Sequence, residues 1–542
     1  MQTLRKITTA IIIGLPLFLA SSCAKKLQET PYDQVVTDNF YNNKNEVLSA
    51  VLRPYTHANA WATPGQDGWW RLSELSADQL AWPVKGRHGQ DGGKWLRLHY
   101  HSWTPDDDFV TGAWRLMWWG LGLCTDPIQN LEKRSNTQMG ITQQEKDAYI
   151  AELRLLRAFH YIKLLDLYGN IPIVTKIGEP ASPPTAPRKD VFNFIEKEIK
   201  ECIDKAPLLS RAMLGRMTQA GGYAMLTELY LNAEKWSGTP RWDDCIAAAD
   251  KLINGQAGGL NGAAQLDANL IDTYKPTNFE SKEILFQIAY EFQISNFQPQ
   301  WPGDFYHFDQ DKIYGGNRTG NDGVVIIPGV YTTFDNADKR KKEWILAGPM
   351  WRYDNPTQPV ICTGNNEYKD EQLVFVDNIR KNKQNSTVSD MTQGEENSGV
   401  RFNKYKLGPT TDKNYNSTDW AVYRLSWIYF AKAEAIMRKS GGIATQEAVN
   451  LVNAVRQRAF TPEDWATKAY TTTTLTIDEL LAERGREFIF EGFRRQDLMR
   501  AGKFSTGIWW DHQPTQPYRQ LFPIPRNQRN INKNLQQNEG YD

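Results

Sequence analysis

A chain of 542 residues with 40% apolar and 23% charged side chains has a globular composition with ample core. Lys and Arg together number 63, as do Asp and Glu, which argues against a general electrostatic grip on nucleic acid or anionic lipid. Aromatic residues make up 12% of a chain whose mean hydropathy is −0.58, so many Trp, Tyr and Phe must serve either as core or as binding surface.

The chain opens on an address. Arg5 and Lys6 precede an apolar run from Ile7 to Ala20, and small residues lead to Cys23. This is a signal peptide, too short for a stable membrane span. Leu19-Ala20-Ser21-Ser22-Cys23 resembles a bacterial lipobox, with its Leu one place early. Residues 1–22 are then removed and Cys23 carries the acyl chains, palmitate among them, each buried CH₂ contributing about 0.8 kcal/mol to anchoring. Cys124, Cys202, Cys245 and Cys362 form no CxxC pair and so no metal or redox motif. Disulfides and buried free thiols both remain open for them. His99 and His101 lack a third ligand nearby, so no metal is expected.

After a tether over 23–45, apolar spacing through Val47, Val51 and Leu52 predicts a first helix. Residues 62–108 are rich in Gly, Asp and Trp and read as ordered loops. Val110, Trp114, Met117, Leu121 and Ile128 predict a helix from Asp107, and Thr142 with Glu145 forms a capping box that starts another over 142–168. A Pro-rich loop spans 178–187. Helices follow over 189–206, 218–236 and 242–254. From 255 to about 415 the chain turns to Gly/Asn loops and short strand-like runs such as Glu283 to Ile288, with a very polar surface loop over 381–399. Helical periodicity returns over 419–438, 444–459 and 476–500. The expected fold is predominantly α: one helical body with tetratricopeptide-like helix pairs, loop-rich segments and short β hairpins. Its regions are 46–255, a loop-rich ligand-binding insert over 256–415, and 416–542.

Several segments in order resemble one family. Residues 483–500, from Glu-Arg-Gly-Arg-Glu-Phe-Ile-Phe-Glu-Gly to Asp497-Leu498-Met499-Arg500, are similar to a signature helix of the SusD/RagB family. Leu521 to Pro525 and Asn534 to Tyr541 resemble its IP…NxxLxQNxGY ending. Leu153 to Tyr161 with Tyr168-Gly169-Asn170-Ile171-Pro172, the Ala431-Lys432-Ala433-Glu434-Ala435 helix, and Gly215-Arg216 complete the set. Gly485 stands where the family usually has Arg. The resemblance implies a lipid-anchored outer-membrane protein, exposed at the cell surface. It would bind a glycan without hydrolysing it and pass it to a TonB-dependent, SusC-like transporter, with no cofactor. A peptide-binding, RagB-like uptake protein and a glycan-cleaving lipoprotein are the alternatives. On their own chemistry, Glu483, Glu487 and Glu491 alternate with arginines and read as a structural ion network rather than as catalytic carboxylates.

A sugar site needs flat aromatic faces and planar polar groups. The 74–103 stretch offers Asp78, Trp82, Lys85, Arg87, His88, Asp91 and Trp95 among glycines. The 297–318 stretch offers Trp301, Asp304, Tyr306, His307, Phe308, Tyr314, Asn317 and Arg318, and a third set is Arg401, Tyr405 and Trp420. Trp114, Trp118, Trp119, Trp427 and Tyr429 lie on helical patterns and are expected in the core.

Overall fold

In the computed structural model, residues 40–290, 299–315, 320–364, 367–406 and 418–541 are described. Cys23, Asn317 and Arg318 lie outside them. Thr142 caps the longest predicted helix as expected: its side chain accepts from the Glu145 amide, and Glu145 returns the bond to the Thr142 amide. That helix, α3 (Gln143–Tyr168), follows α1 (Lys44–Ala62) and α2 (Asp108–Lys133). After it come α4 (Arg188–Cys202), α5 (Gln219–Leu231) and α6 (Trp242–Ile253), then α7 (Leu425–Lys439) and α8 (Gln446–Arg456). Consecutive helices pack on one another: α1 on α2, α2 on α3, α3 on α4, α5 on α6, and α7 on α8. The loop-rich stretch is leapt where α6 packs on α7, with α5 adding to the same junction. The body is thus predominantly helical, built from helix pairs. Among the described residues, no helix is long and apolar enough to cross a membrane.

Two predicted helices break where tertiary pairing overrides local periodicity. The 419–438 stretch begins as a strand, β8 (Trp420–Arg424), which pairs antiparallel with β2 (Ile284–Ile288) before α7 starts. The 476–500 stretch is two helices, α9 (Ile477–Glu487) and α10 (Arg494–Arg500). Between them Phe490 takes a left-handed backbone (φ 75°) and packs its ring against Phe305 and Phe402. Glu491 therefore leaves the helix face it was expected to share with Glu483 and Glu487.

The carboxylates nonetheless form a closed ion network. Arg340 bridges Glu483 (2.8 Å) and Glu487 (2.9 Å), and Arg424 bridges Glu283, Glu487 and Glu491, each at 2.9 Å. All of these side chains are buried, and every carboxylate oxygen of Glu283, Glu483, Glu487 and Glu491 takes a donor. Gly485 has its own reason. A Cβ there would meet Arg494 Nη1 and Gln79 Nε2 at 2.9 Å, and Arg494 passes this point to pair with Asp78.

The remaining strands are two residues long: β1 (Leu80–Ala81) pairs with β3 (Val325–Ile326), β4 (Ile345–Leu346) with β7 (Arg401–Phe402), and β5 (Gly348–Pro349) with β6 (Val374–Phe375). The β1–β3 pair stitches the loop-rich stretch to the 74–103 segment, and the other two pairs tie the loop-rich stretch to itself. The 381–399 loop differs from its reading as a polar surface loop, because residues 394–400 are buried against that segment. Gly394 lets them approach: a Cβ there would meet Val84 O and Lys85 Cγ at 2.7 Å. The tail closes the fold. Asn538 donates to the Tyr168 and Phe522 carbonyls, and the Tyr541 hydroxyl accepts from Trp103 Nε1 at 2.6 Å and donates to the Leu521 carbonyl. Among the described residues, Cys124, Cys202, Cys245 and Cys362 are buried free thiols.

Candidate functional site

Lys85 and His88 exchange backbone hydrogen bonds at 2.9 Å around a tight turn, Lys85-Gly86-Arg87-His88. Gly86 sits at φ 57°, where open space but not conformation would admit a side chain. This turn forms one lip of a cavity of about 410 Å³, walled by Phe308, Asp322, Glu367, Glu395 and Glu396. A volume of this size suits one or two sugar rings. The His88 and Phe308 rings meet at 4.8 Å, giving an aromatic side, while the opposite wall is acidic.

Beneath the turn the Lys85 ammonium is buried between Asp322 (3.2 Å) and the Gly323 carbonyl (3.1 Å). Burial first, then the neighbouring Arg401 guanidinium, push its pKa down to about 7. Arg401 is itself buried. It pairs with Asp322 and donates to the Glu396, Ser398 and Gly399 carbonyls. Although burial acts to raise Asp322, Arg401 and Lys85 hold its carboxyl below the usual range. Deeper still, His307 Nδ1 accepts the Asp309 amide (3.0 Å), which leaves the Nε2 proton to donate to Glu396 Oε1 (2.8 Å).

His307, Asp309 and Glu396 offer three ligand atoms within 4.8 Å of one another, yet the bonds already present oppose a metal. The Asp309 carboxylate is held by Lys312 (2.6 Å) and by the Thr363 hydroxyl and amide, and Nδ1 of the histidine is taken. Nor do His99 and His101 converge on a site: His99 bonds Asp511 at 2.6 Å, and His101 bonds the Ser76 carbonyl and Thr515.

Of the ten ligand-binding residues expected from sequence, Arg87 stands at the cavity lip, and the structure does not gather the other described ones around it. Trp82 and Trp95 stack on each other (4.3 Å, 4° between planes) and are only 5% and 2% exposed. Arg71, fixed by Asp304, covers both rings, and Asp91 accepts from Trp95 Nε1. These residues pin their own loop. Trp301 and Tyr306 are buried, Trp301 against Phe402, Tyr405 and Trp420. Tyr405 and Trp420 stack on each other in that same core (4.4 Å, 10°). Asp78 pairs with Arg494, Tyr314 donates to Asn403 Oδ1, and Arg401 anchors Asp322. Arg318 lies outside the described residues.

The exposed aromatics are elsewhere. Trp351 (45% exposed) and Tyr353 (51%) project from a hairpin closed by the Trp351–Pro359 bridge. The Tyr353 amide donates to the Lys312 carbonyl, and Lys312 reaches Asp309 and the Ile361 carbonyl. The same hairpin runs on to Thr363, which binds Asp309, and to Gly364 at the cavity rim. The alternation Trp351-Arg352-Tyr353 beside a Pro-containing turn is the signal that could have found this pair. Trp119, expected in the core, is 55% exposed. On α2 it sits one position beyond Trp118, and that rotation turns it outward.

The profile of the SusD family matches residues 240–541. The chain belongs to the SusD family. Starch-binding protein SusD of Bacteroides thetaiotaomicron is 24% identical over 512 residues, spanning 88% of this chain and 86% of that protein. Among solved structures, surface glycan-binding protein A from the same organism, in complex with laminarihexaose, superposes with a TM-score of 0.67 at 20% identity, covering 92% and 99% of the two chains. NanU of B. fragilis reaches a TM-score of 0.71 at 17% identity, covering 94% and 99%. The SusD fold thus extends over the helical body and the loop-rich stretch together.

Proposed function

We propose that this SusD-family chain is a cell-surface glycan-binding lipoprotein. It is anchored in the outer membrane through Cys23, captures oligosaccharides or polysaccharides, and delivers them to a TonB-dependent, SusC-like transporter. The observation that carries the reading is the cavity at the Lys85–His88 turn. It joins an aromatic side, Phe308 with His88, to polar groups able to bond hydroxyls, and the hairpin bearing Trp351 and Tyr353 continues from its rim. Relatives named for binding starch and for holding laminarihexaose support a carbohydrate ligand.

Capture without cleavage is the reading of the carboxylates as well. Glu395 is committed to the Tyr368 hydroxyl and to the amides of Asn382 and Lys383, and Glu396 to His307. Neither is set as a free acid and base pair. The test is affinity electrophoresis of residues 24–542 through gels containing starch or laminarin. Phe308→Ala and Trp351→Ala should each release the polysaccharide about tenfold more readily while melting like the parent. Unchanged retention in both variants would move the ligand away from this region.

A further inference from the structure

A second cavity, of about 450 Å³, opens on the helical body and shares no lining residue with the first. Its aromatic wall is α2. Arg115, Trp118 and Trp119 lie there at i, i+3 and i+4, so they neighbour one another on one helix face. Trp118 is held by ring contacts with Trp114 (5.4 Å) and Tyr161 (6.1 Å), and Trp119 leans on His57 (4.8 Å) while more than half of it stays exposed. The other walls come from Pro183 of the Pro-rich loop and from Gln528, Ile531 and Leu535 of the tail. Loop and tail are tied together: Asn532 Nδ2 donates to the Pro183 carbonyl and Asn534 Nδ2 to the Ser182 carbonyl, each at 2.8 Å. The groove is therefore formed before any ligand arrives. Two polar side chains of its lining are uncommitted. Among the described residues, the Arg115 guanidinium makes no ion pair, hydrogen bond or ring contact, and the Gln528 amide makes no hydrogen bond. No carboxylate of those residues lines the cavity, and Arg115 is its one formal charge. The acidic residue nearest in sequence to the lining, Glu179, is paired with Lys176.

We propose that this groove is a second saccharide site, one that takes a uronate unit of an acidic polysaccharide. It goes beyond the function proposed above in its place and in the charge of its ligand, and rests on that reading only for the ligand being a sugar. The exposed indole of Trp119 offers a flat face for the C–H side of a pyranose ring. Arg115, one helical turn away, is free to form a paired, charge-assisted bond with the carboxylate of that ring. Gln528 brings a donor and an acceptor for the hydroxyls. An apolar cleft with a few uncommitted polar groups is the general build of a small-ligand site. Charge decides between the two cavities. The first is lined by four carboxylates against Lys85 and Arg87 and disfavours an anion, whereas this one holds a lone cation.

The experiment compares retention of the 24–542 chain in gels containing polygalacturonate with gels containing poly-L-glutamate, laminarin or starch. The unaltered chain should be held by polygalacturonate about tenfold more tightly than by polyglutamate. Arg115→Gln and Trp119→Ala should each weaken that hold about tenfold, melt like the parent, and leave retention by laminarin and starch as it was. Phe308→Ala, in the first cavity, should do the reverse. About 1 M salt, where the screening length is about 3 Å, should act on the parent as Arg115→Gln does and add little to that variant. Three results would overturn the assignment: no retention by polygalacturonate, a hold that neither Arg115→Gln nor Trp119→Ala moves, or polyglutamate held as tightly, which would make the groove a seat for an acidic peptide. The neutral gels judge the first cavity separately. Failure of laminarin and starch to hold the chain, with polygalacturonate still holding it through Arg115 and Trp119, would overturn the reading of the first cavity and leave this one standing.

Discussion

Two buried charge clusters in this protein use the same residue types and end differently. Around Arg340 and Arg424, four glutamates have every carboxylate oxygen bonded, and no part of the cluster meets solvent. Around Arg401 and Lys85, Asp322 and Glu396 stand beside a cavity, and Asp322 Oδ2 is buried without a hydrogen-bond partner. The aromatics repeat the contrast, with Trp82 and Trp95 sealed in a stack and Trp351 and Tyr353 standing in solvent. The two clusters differ in partnering and in nearness to a cavity, not in composition, and framework atoms such as Glu74 Oε2 and Trp82 Nε1 also lack a hydrogen-bond partner.

The contrast can be broken most forcefully at its closed end. Arg424→Ala takes one cation from each of three buried glutamates, leaving Glu283 to Arg458, Glu487 to Arg340 and Glu491 to Lys404, and should cost about 3–5 kcal/mol, read as a lower urea midpoint. A midpoint close to the parent's would mean that the network is wetter than its burial shows. Trp82→Ala removes half of the sealed stack and should cost about 3 kcal/mol. If that variant kept full stability and lost only glycan, the stack would belong with the exposed pair instead.

Glu74 sharpens the same distinction by pH. Burial raises its carboxyl from the ordinary 4.5 to about 8, although the Gly492 amide bonds it. Between those values the folded chain holds a proton that the unfolded chain has released. Its contribution is therefore present at pH 4.5 and lost as pH rises toward 8, at no more than about 1.4 kcal/mol per pH unit. Glu74→Gln should flatten that slope in denaturation curves measured across the window, and an unchanged slope would assign it to other groups. Smallest of all, Trp351→Ala should move stability by less than about 0.5 kcal/mol while lowering glycan retention about tenfold. A large loss of stability would show the ring to be framework.

The helices were legible because their signals are local. The Thr142–Glu145 box and the spacing from Val110 to Ile128 each lie within a few turns of the element they specify. Trp420 to Arg424 reads as helix until Ile284 to Ile288, more than 130 residues earlier, pairs with it. The candidate site is less legible for the same reason. Lys85, Asp322 and Glu396 meet only in the fold. A tryptophan among glycines is equally compatible with gripping a ligand and with gripping its own loop. At Trp82 the deciding contacts are Arg71 and Trp95, and only Trp95 lies in the same stretch of loop.

The tail has a consequence for the order of events in the life of the chain. Asn538 and Tyr541 bond to Tyr168 and Trp103, far earlier in the sequence. Final locking of the N-terminal helices therefore waits until residues 538–541 have been delivered, so this distant strap sets how early the helical body can close.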